Sequence, residues 1–303
     1  VLGNYWRGIL MALGTALVWG GTGPVAKLIT ESGLSQVSVV CYRAVFVALV
    51  VGCWLWMKHG SAVFRPSREM LAVYTLLGCL TIVFNATGYM MSCAYLSIPQ
   101  ALMLNYTFPI VTMGGSALLL REKPTWMQVV SGFLVLLGLY VGFVASKGSG
   151  SPISPIGVAW AGVSVIGLSG QALLSRKVLK SGQSQPLLQL FFSHLLGGII
   201  LILAKSLLVG WSDLSLLTPR VFALIHYPAI MSALIGYGLL FSALRHVPAS
   251  LVSLVCTMEI VFALILTPLV IHQAPSLNEF LGCSIILAAV ACSVLRTGLA
   301  VPD

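Results

Sequence analysis

QVSVVCYRAVFVALVVGCWLWM, residues 36–57, contains a single charge, Arg43. A helix rises about 1.5 Å per residue, so the stretch covers about 33 Å. The hydrocarbon core of a bilayer is about 30 Å thick. The segment therefore reads as a membrane-spanning helix. A charge within such a helix costs about 2.5–3.5 kcal/mol on insertion scales and is kept for a reason.

The rest of the chain follows the same pattern. Of its 303 residues, 58% are hydrophobic and 8% charged, and the mean hydropathy is +1.02. A soluble domain carries about 25% charged residues. The solvent for this chain is lipid, and the fold class is an all-α membrane protein. Ten spans are predicted: 8–29, 36–57, 70–94, 98–120, 125–146, 155–178, 186–209, 219–243, 249–271 and 276–297. Turn residues separate them, among them Lys58-His59-Gly60, Glu122-Lys123-Pro124 and Lys147-Gly148-Ser149-Gly150. Pro186, Pro219, Pro248 and Pro275 stand near helix starts, where a missing N–H costs little.

The net charge of +9 would suggest a nucleic-acid partner in a soluble protein. Here it marks loops on one membrane face, and no nucleic-acid partner is expected. With the N-terminus cytoplasmic, Arg7, Lys58, Arg65, Arg68, Arg121, Lys123, Arg176, Lys177, Lys180, Arg245 and Arg296 lie inside. Lys27, Lys147, Lys205 and Arg220 lie outside. This asymmetry predicts both termini in the cytoplasm. The seven cysteines form no CxxC pair and have no histidine at ligand spacing, so no metal or other cofactor is expected.

An internal echo divides the chain into two five-span repeats, 1–148 and 149–303. Ser97-Ile98-Pro99-Gln100-Ala101 is answered by His246-Val247-Pro248-Ala249-Ser250, and Phe108-Pro109-Ile110-Val111 by Glu259-Ile260-Val261-Phe262. Pro109 precedes Pro124 by as many residues as Ile260 precedes Pro275. Five is odd, so the repeats run in opposite directions. Inverted repeats around a central cavity are the pattern of alternating-access transporters.

These features resemble the drug/metabolite transporter superfamily, specifically its EamA-type ten-span members. The resemblance covers nearly the whole chain. It rests on Trp19-Gly20-Gly21 with Val25-Ala26-Lys27, on Tyr42-Arg43-Ala44, on Pro109 and on the turn Arg121-Glu122-Lys123-Pro124. Met258-Glu259-Ile260-Val261-Phe262 is similar to the Leu-Glu-Pro-Val-Phe pattern of the family, with Ile260 in place of the usual proline. Gln273 stands where a second acidic turn is expected. The resemblance implies a secondary transporter, usually an exporter of the inner membrane and often proton-coupled, with no single substrate.

Arg43 and Glu259 are the deep charges of the spans. By helix rise their Cα heights differ by about 5 Å. They could pair, or hold opposite ends of a zwitterion. His194 and His226 lie within spans seven and eight and suit proton relay or packing. Asn85, Tyr89, Asn105 and Tyr106 are further polar groups near the level of Arg43. Each needs a partner in hydrocarbon. Trp19, Trp160 and Tyr237 could stack on a substrate or pack. The candidate substrate site is Arg43, Glu259, Trp19, Asn85, Tyr89, Asn105, His194, His226 and Tyr237, with Glu259 and His194 as candidate proton carriers.

The leading expectation is a secondary exporter of a small polar or zwitterionic metabolite, such as an amino acid, an amino-acid derivative or an opine-like metallophore. Its partners are that substrate, the lipid bilayer and protons. A nucleotide-sugar or phosphorylated-sugar antiporter and a broad drug exporter are alternatives. The first needs several deep basic residues for phosphate, and Arg43 is the one present. A membrane-embedded enzyme is the remote alternative, since the chain shows no HExxH, GxSxG or carboxylate pair.

Overall fold

The computed structural model describes residues 2–96, 98–144, 154–271 and 276–299. Among these residues the chain is helical, without strands. The first span is two helices, α1 (Leu2–Gly20) and α2 (Thr22–Glu31), bent at Gly21. Next come α3 (Gln36–His59) and α4 (Arg68–Gly78), then a π-helical stretch Cys79–Ala86 leading into α5 (Thr87–Tyr95). The fourth span is α6 (Ile98–Asn105) and α7 (Phe108–Gly115), and the fifth begins with α8 (Trp126–Leu139). The second half runs α9 (Pro155–Lys180), α10 (Pro186–Leu208), α11 (Pro219–Tyr227), a π-helical stretch Pro228–Gly236, and α12 (Tyr237–His246). It closes with α13 (Ala249–Cys256), α14 (Glu259–Ile271) and α15 (Leu277–Leu299).

Eight segments are long and apolar enough to cross a membrane, and Trp126–Gly142 is a shorter apolar helix. Adding the bent α1–α2 segment accounts for ten. Helix starts follow the local chemistry. Pro155, Pro186 and Pro219 open their helices, where no N–H is needed. Thr125 and Gln128 form a reciprocal capping box that starts α8.

The sequence predicts continuous helices at 98–120 and 249–271, and the structure breaks both. The cause is a threonine in each. Thr107 donates both its hydroxyl (2.7 Å) and its N–H (3.1 Å) to the Leu104 carbonyl. Thr257 does the same to Leu254, at the same two distances. A bond to the third residue back tightens the turn and ends the α-helical ladder. Thr257 lies 150 residues after Thr107. That register differs by one from the proline spacing, and it sets Glu259 opposite Pro109. Ser97 and His272 to Pro275 lie outside the described residues, as do most of the Lys147–Pro155 loop and Gln273.

Packing repeats between the halves. Span one packs on spans eight and nine, and span six packs on three and four. Span two packs on seven, and five on ten. Adding five to each span number maps these contacts onto one another. The most extensive contact without a counterpart is α9 along α12, whose mate, α1 or α2 on α5, is slight or absent among the described residues. Spans five and ten touch backbone to backbone. A Cβ on Gly282 would overlap the Gly138 carbonyl, and one on Gly138 would lie 2.6 Å from that of Gly282. Seven residues earlier in span five, the Ser131 hydroxyl donates to the Ala289 carbonyl at 2.8 Å.

Candidate functional site

Tyr237 follows the π-helical stretch of span eight directly and is buried at the centre of the molecule. The Asn85 amide, from the π-helical stretch of span three, donates to its hydroxyl at 3.2 Å. Tyr237 meets the Trp19 ring edge-on at 5.3 Å and the His194 ring edge-on at 5.5 Å. Both Arg43 and Glu259 lie within electrostatic reach of its hydroxyl. Wide π turns recur at functional sites. Here the Ser232 carbonyl accepts from both the Tyr237 N–H and Trp19 Nε1, the latter at 3.2 Å.

Arg43 is poorly satisfied. Its Nη2 donates to Ser232 Oγ at 3.3 Å, and its Nε is buried without a partner. His194 is about 1% exposed. Its Nδ1 is bonded to the Leu190 carbonyl at 2.9 Å, which makes that nitrogen the N–H donor and leaves Nε2 a free acceptor. The carboxamide of Gln171 stands beside Tyr237 with neither atom in hydrogen-bond geometry. Three spans thus direct unpartnered polar atoms into one buried region.

Two bridges position the surrounding groups. Ser164 of span six touches the Asn105 carboxamide oxygen at 2.7 Å and the Asn85 carboxamide oxygen at 3.2 Å, joining spans three, four and six. Glu259 opens α14 at the ninth-span break, where free N–H groups favour a carboxylate. Tyr106, in the fourth-span break, and Tyr89 lie within electrostatic reach of its carboxyl. Gly20 lets α1 lie on this break, since a Cβ there would come 2.7 Å from the Glu259 carbonyl.

The structure therefore brings together Trp19, Arg43, Asn85, Asn105, His194 and Tyr237, with Glu259 and Tyr89 alongside. It does not join Arg43 to Glu259 in an ion pair. The two instead flank Tyr237, at a separation that hydrogen-bond contact does not span. His226 lies apart. It bonds Tyr42 Oη and the Phe222 carbonyl, both at 2.7 Å, so both ring nitrogens are satisfied within a local aromatic group. Ser232, Ser164 and Gln171 were not singled out by sequence reasoning, although each is a polar residue within a predicted span. A void of about 10 Å³ beside Trp19, Gln171 and Cys256 has room for about one water. No group of three or more potential metal ligands occurs among the described residues.

Each end of the molecule carries a polar latch. At one, Glu122 accepts from Arg176 (3.0 Å) and Lys180 (2.8 Å), and Arg176 also donates to the Leu244 carbonyl at 2.9 Å. At the other, Asp213 pairs with Lys205 at 3.1 Å and accepts from the Ser35 N–H and the Ser38 hydroxyl. Residues that the charge bias assigns to one face meet one another, as do those assigned to the opposite face.

Comparison with known proteins agrees with this architecture. The model of the EamA-like transporter family matches twice, over residues 6–144 and 155–295. The chain is 28% identical to the uncharacterized inner membrane transporter YhbE of Escherichia coli K12, covering 95% of this chain and 91% of that one. It is 26% identical to an uncharacterized transporter of Haemophilus influenzae Rd, covering 95% and 96%. A solved crystal structure shares the fold, with a TM-score of 0.77 at 17% identity and coverage of 95% and 96%. Matched once in each half and over most of its length, this multi-pass membrane protein belongs to the EamA-like transporter family of the drug/metabolite transporter superfamily.

Proposed function

We propose that the chain is a secondary exporter of the inner membrane that moves a small zwitterionic metabolite, an amino acid or close derivative, by alternating access between its two five-span repeats. One observation carries this reading. Arg43 Nε, His194 Nε2 and the Gln171 amide are buried without partners around Tyr237. In a membrane core each such group costs free energy until something bonds it. A substrate carboxylate suits Arg43, and an ammonium suits Glu259 across Tyr237. Glu259 would also carry the coupling proton, with His194 as a second carrier. Both termini are assigned to the cytoplasm by the basic bias. Arg43 as the one deep cation disfavours a nucleotide sugar.

Counterflow in proteoliposomes tests this, using a panel of amino acids, amines and nucleotide sugars. Amino-acid exchange is expected. Arg43→Lys should weaken apparent affinity about tenfold at unchanged folded yield, because a bidentate partner is lost. Glu259→Gln should keep exchange and lose accumulation driven by a pH gradient. Exchange of nucleotide sugars alone, or pH-driven accumulation intact in Glu259→Gln, overturns the respective part.

A further inference from the structure

Away from the polar cluster, a groove of about 310 Å³ runs between α7 and α8. Met113, Gly114, Ala117, Val129 and Phe133 line it, and it reaches Pro124 in the turn between spans four and five. Gly114 and Ala117 make the gap, since neither fills the space that a longer side chain would. The indole of Trp126, highly exposed, stands two residues beyond Pro124. Exposed tryptophans at span ends sit at headgroup level. The groove thus starts at the membrane surface and runs into hydrocarbon.

The turn at its mouth is built in an unusual way. Arg121 adopts φ 55°, and it is the one non-glycine residue with positive φ among those described. The N–H groups of Arg121 and Glu122 both bond to the Ser116 carbonyl. Glycine would suit such a position better. The twist turns Glu122 inward to Arg176 and Lys180, leaving Arg121 and Lys123 exposed on either side, outside every ion pair among the described residues. The acid is neutralised within the protein, and the two cations face outward beside an apolar groove.

We propose that this groove binds an anionic phospholipid, with one acyl chain between α7 and α8 and the phosphate between Arg121 and Lys123. Apolar lining alone would accept any lipid tail. The paired cations supply selectivity for a negative headgroup, about tenfold over a zwitterionic one.

Native mass spectrometry of the full-length protein tests this, with phosphatidylglycerol and phosphatidylcholine of matched chains as probes. The wild type should bind phosphatidylglycerol about tenfold more tightly. Arg121→Gly with Lys123→Gln should abolish the preference without lowering the unfolding temperature, because glycine accepts φ 55°. Gly114→Leu, which fills the groove, should weaken binding of both lipids. Equal binding by the wild type overturns the proposal, as does a preference retained in the double variant. So does a dimer cross-linked through Phe133→Cys that excludes lipid, which would make the groove a contact between copies.

Discussion

Glu122 belongs to the first half and draws both its cations, Arg176 and Lys180, from the second. Asp213 belongs to the second half and draws its cation, Lys205, from that same half. What Asp213 takes from the first half is neutral: the Ser35 N–H and the Ser38 hydroxyl. Parting the halves at Glu122 separates opposite charges in a poorly hydrated place. Parting them at Asp213 leaves the ion pair whole, and water can replace the serines. Helix packing differs in the same sense, since α9 lies along α12 at the Arg176 end and the mate of that contact is slight or absent. The Asp213 end is the readier to open.

Removing Arg176 tests this difference most severely. Arg176→Ala leaves a mostly buried carboxylate with Lys180 as its one cation and releases the Leu244 and Arg245 carbonyls. It should cost about 3 kcal/mol of unfolding free energy in micelles. A loss under about 1 kcal/mol would make the two ends equivalent. Asp213→Asn comes next. Lys205 would keep the Gly210 carbonyl at 2.7 Å and the Trp211 ring at 4.8 Å, so about 1–2 kcal/mol is expected. A cysteine at Ser35 should then label faster with an impermeant maleimide. Unchanged labelling would show that Asp213 does not hold that end.

The smallest expected effect is that of pH. Burial opposes charge on Glu122, but hydrogen bonds from Arg176 and Lys180 outweigh it and hold the carboxyl below its usual range. Asp213 is lowered in the same way: burial opposes its charge, and Ser38, Lys205 and Ser35 outweigh it. A carboxyl with a lowered folded pKa adds stability above its unfolded value, near 4, and loses it as pH falls through the folded one. Unfolding temperature should therefore drop as pH falls below about 4. The drop should shrink in Glu122→Gln and, to a lesser degree, in Asp213→Asn. An equal change in both variants would erase the contrast between the ends.

The spans and their approximate number were legible because lipid imposes length and polarity on every crossing segment. Arg43 and Glu259 stood out for the same reason. Their relation did not, because depth along a helix says nothing about rotation, and rotation puts Tyr237 between them. The helix breaks were hidden for another reason. Thr107 and Thr257 look like ordinary span residues, and their effect comes from a side-chain bond to the chain's own carbonyl. Leu-x-x-Thr at Leu104–Thr107 and Leu254–Thr257 is the signal that could have exposed them. His226 was drawn into the candidate site by residue type, and its partners are the aromatic rings of Tyr42 and Phe46 from α3 and Phe222 from its own helix.

Spans five and ten meet at Gly138 with Gly282 and at Ser131 with Ala289, points seven residues apart on each helix. That is about 10 Å of contact fixed at both ends. Two rods pinned twice can neither roll nor slide against each other. In the alternating access proposed above they serve as a fulcrum about which the other spans tilt, and the resting tilt is set by the difference between the clasp at Glu122 and the clasp at Asp213.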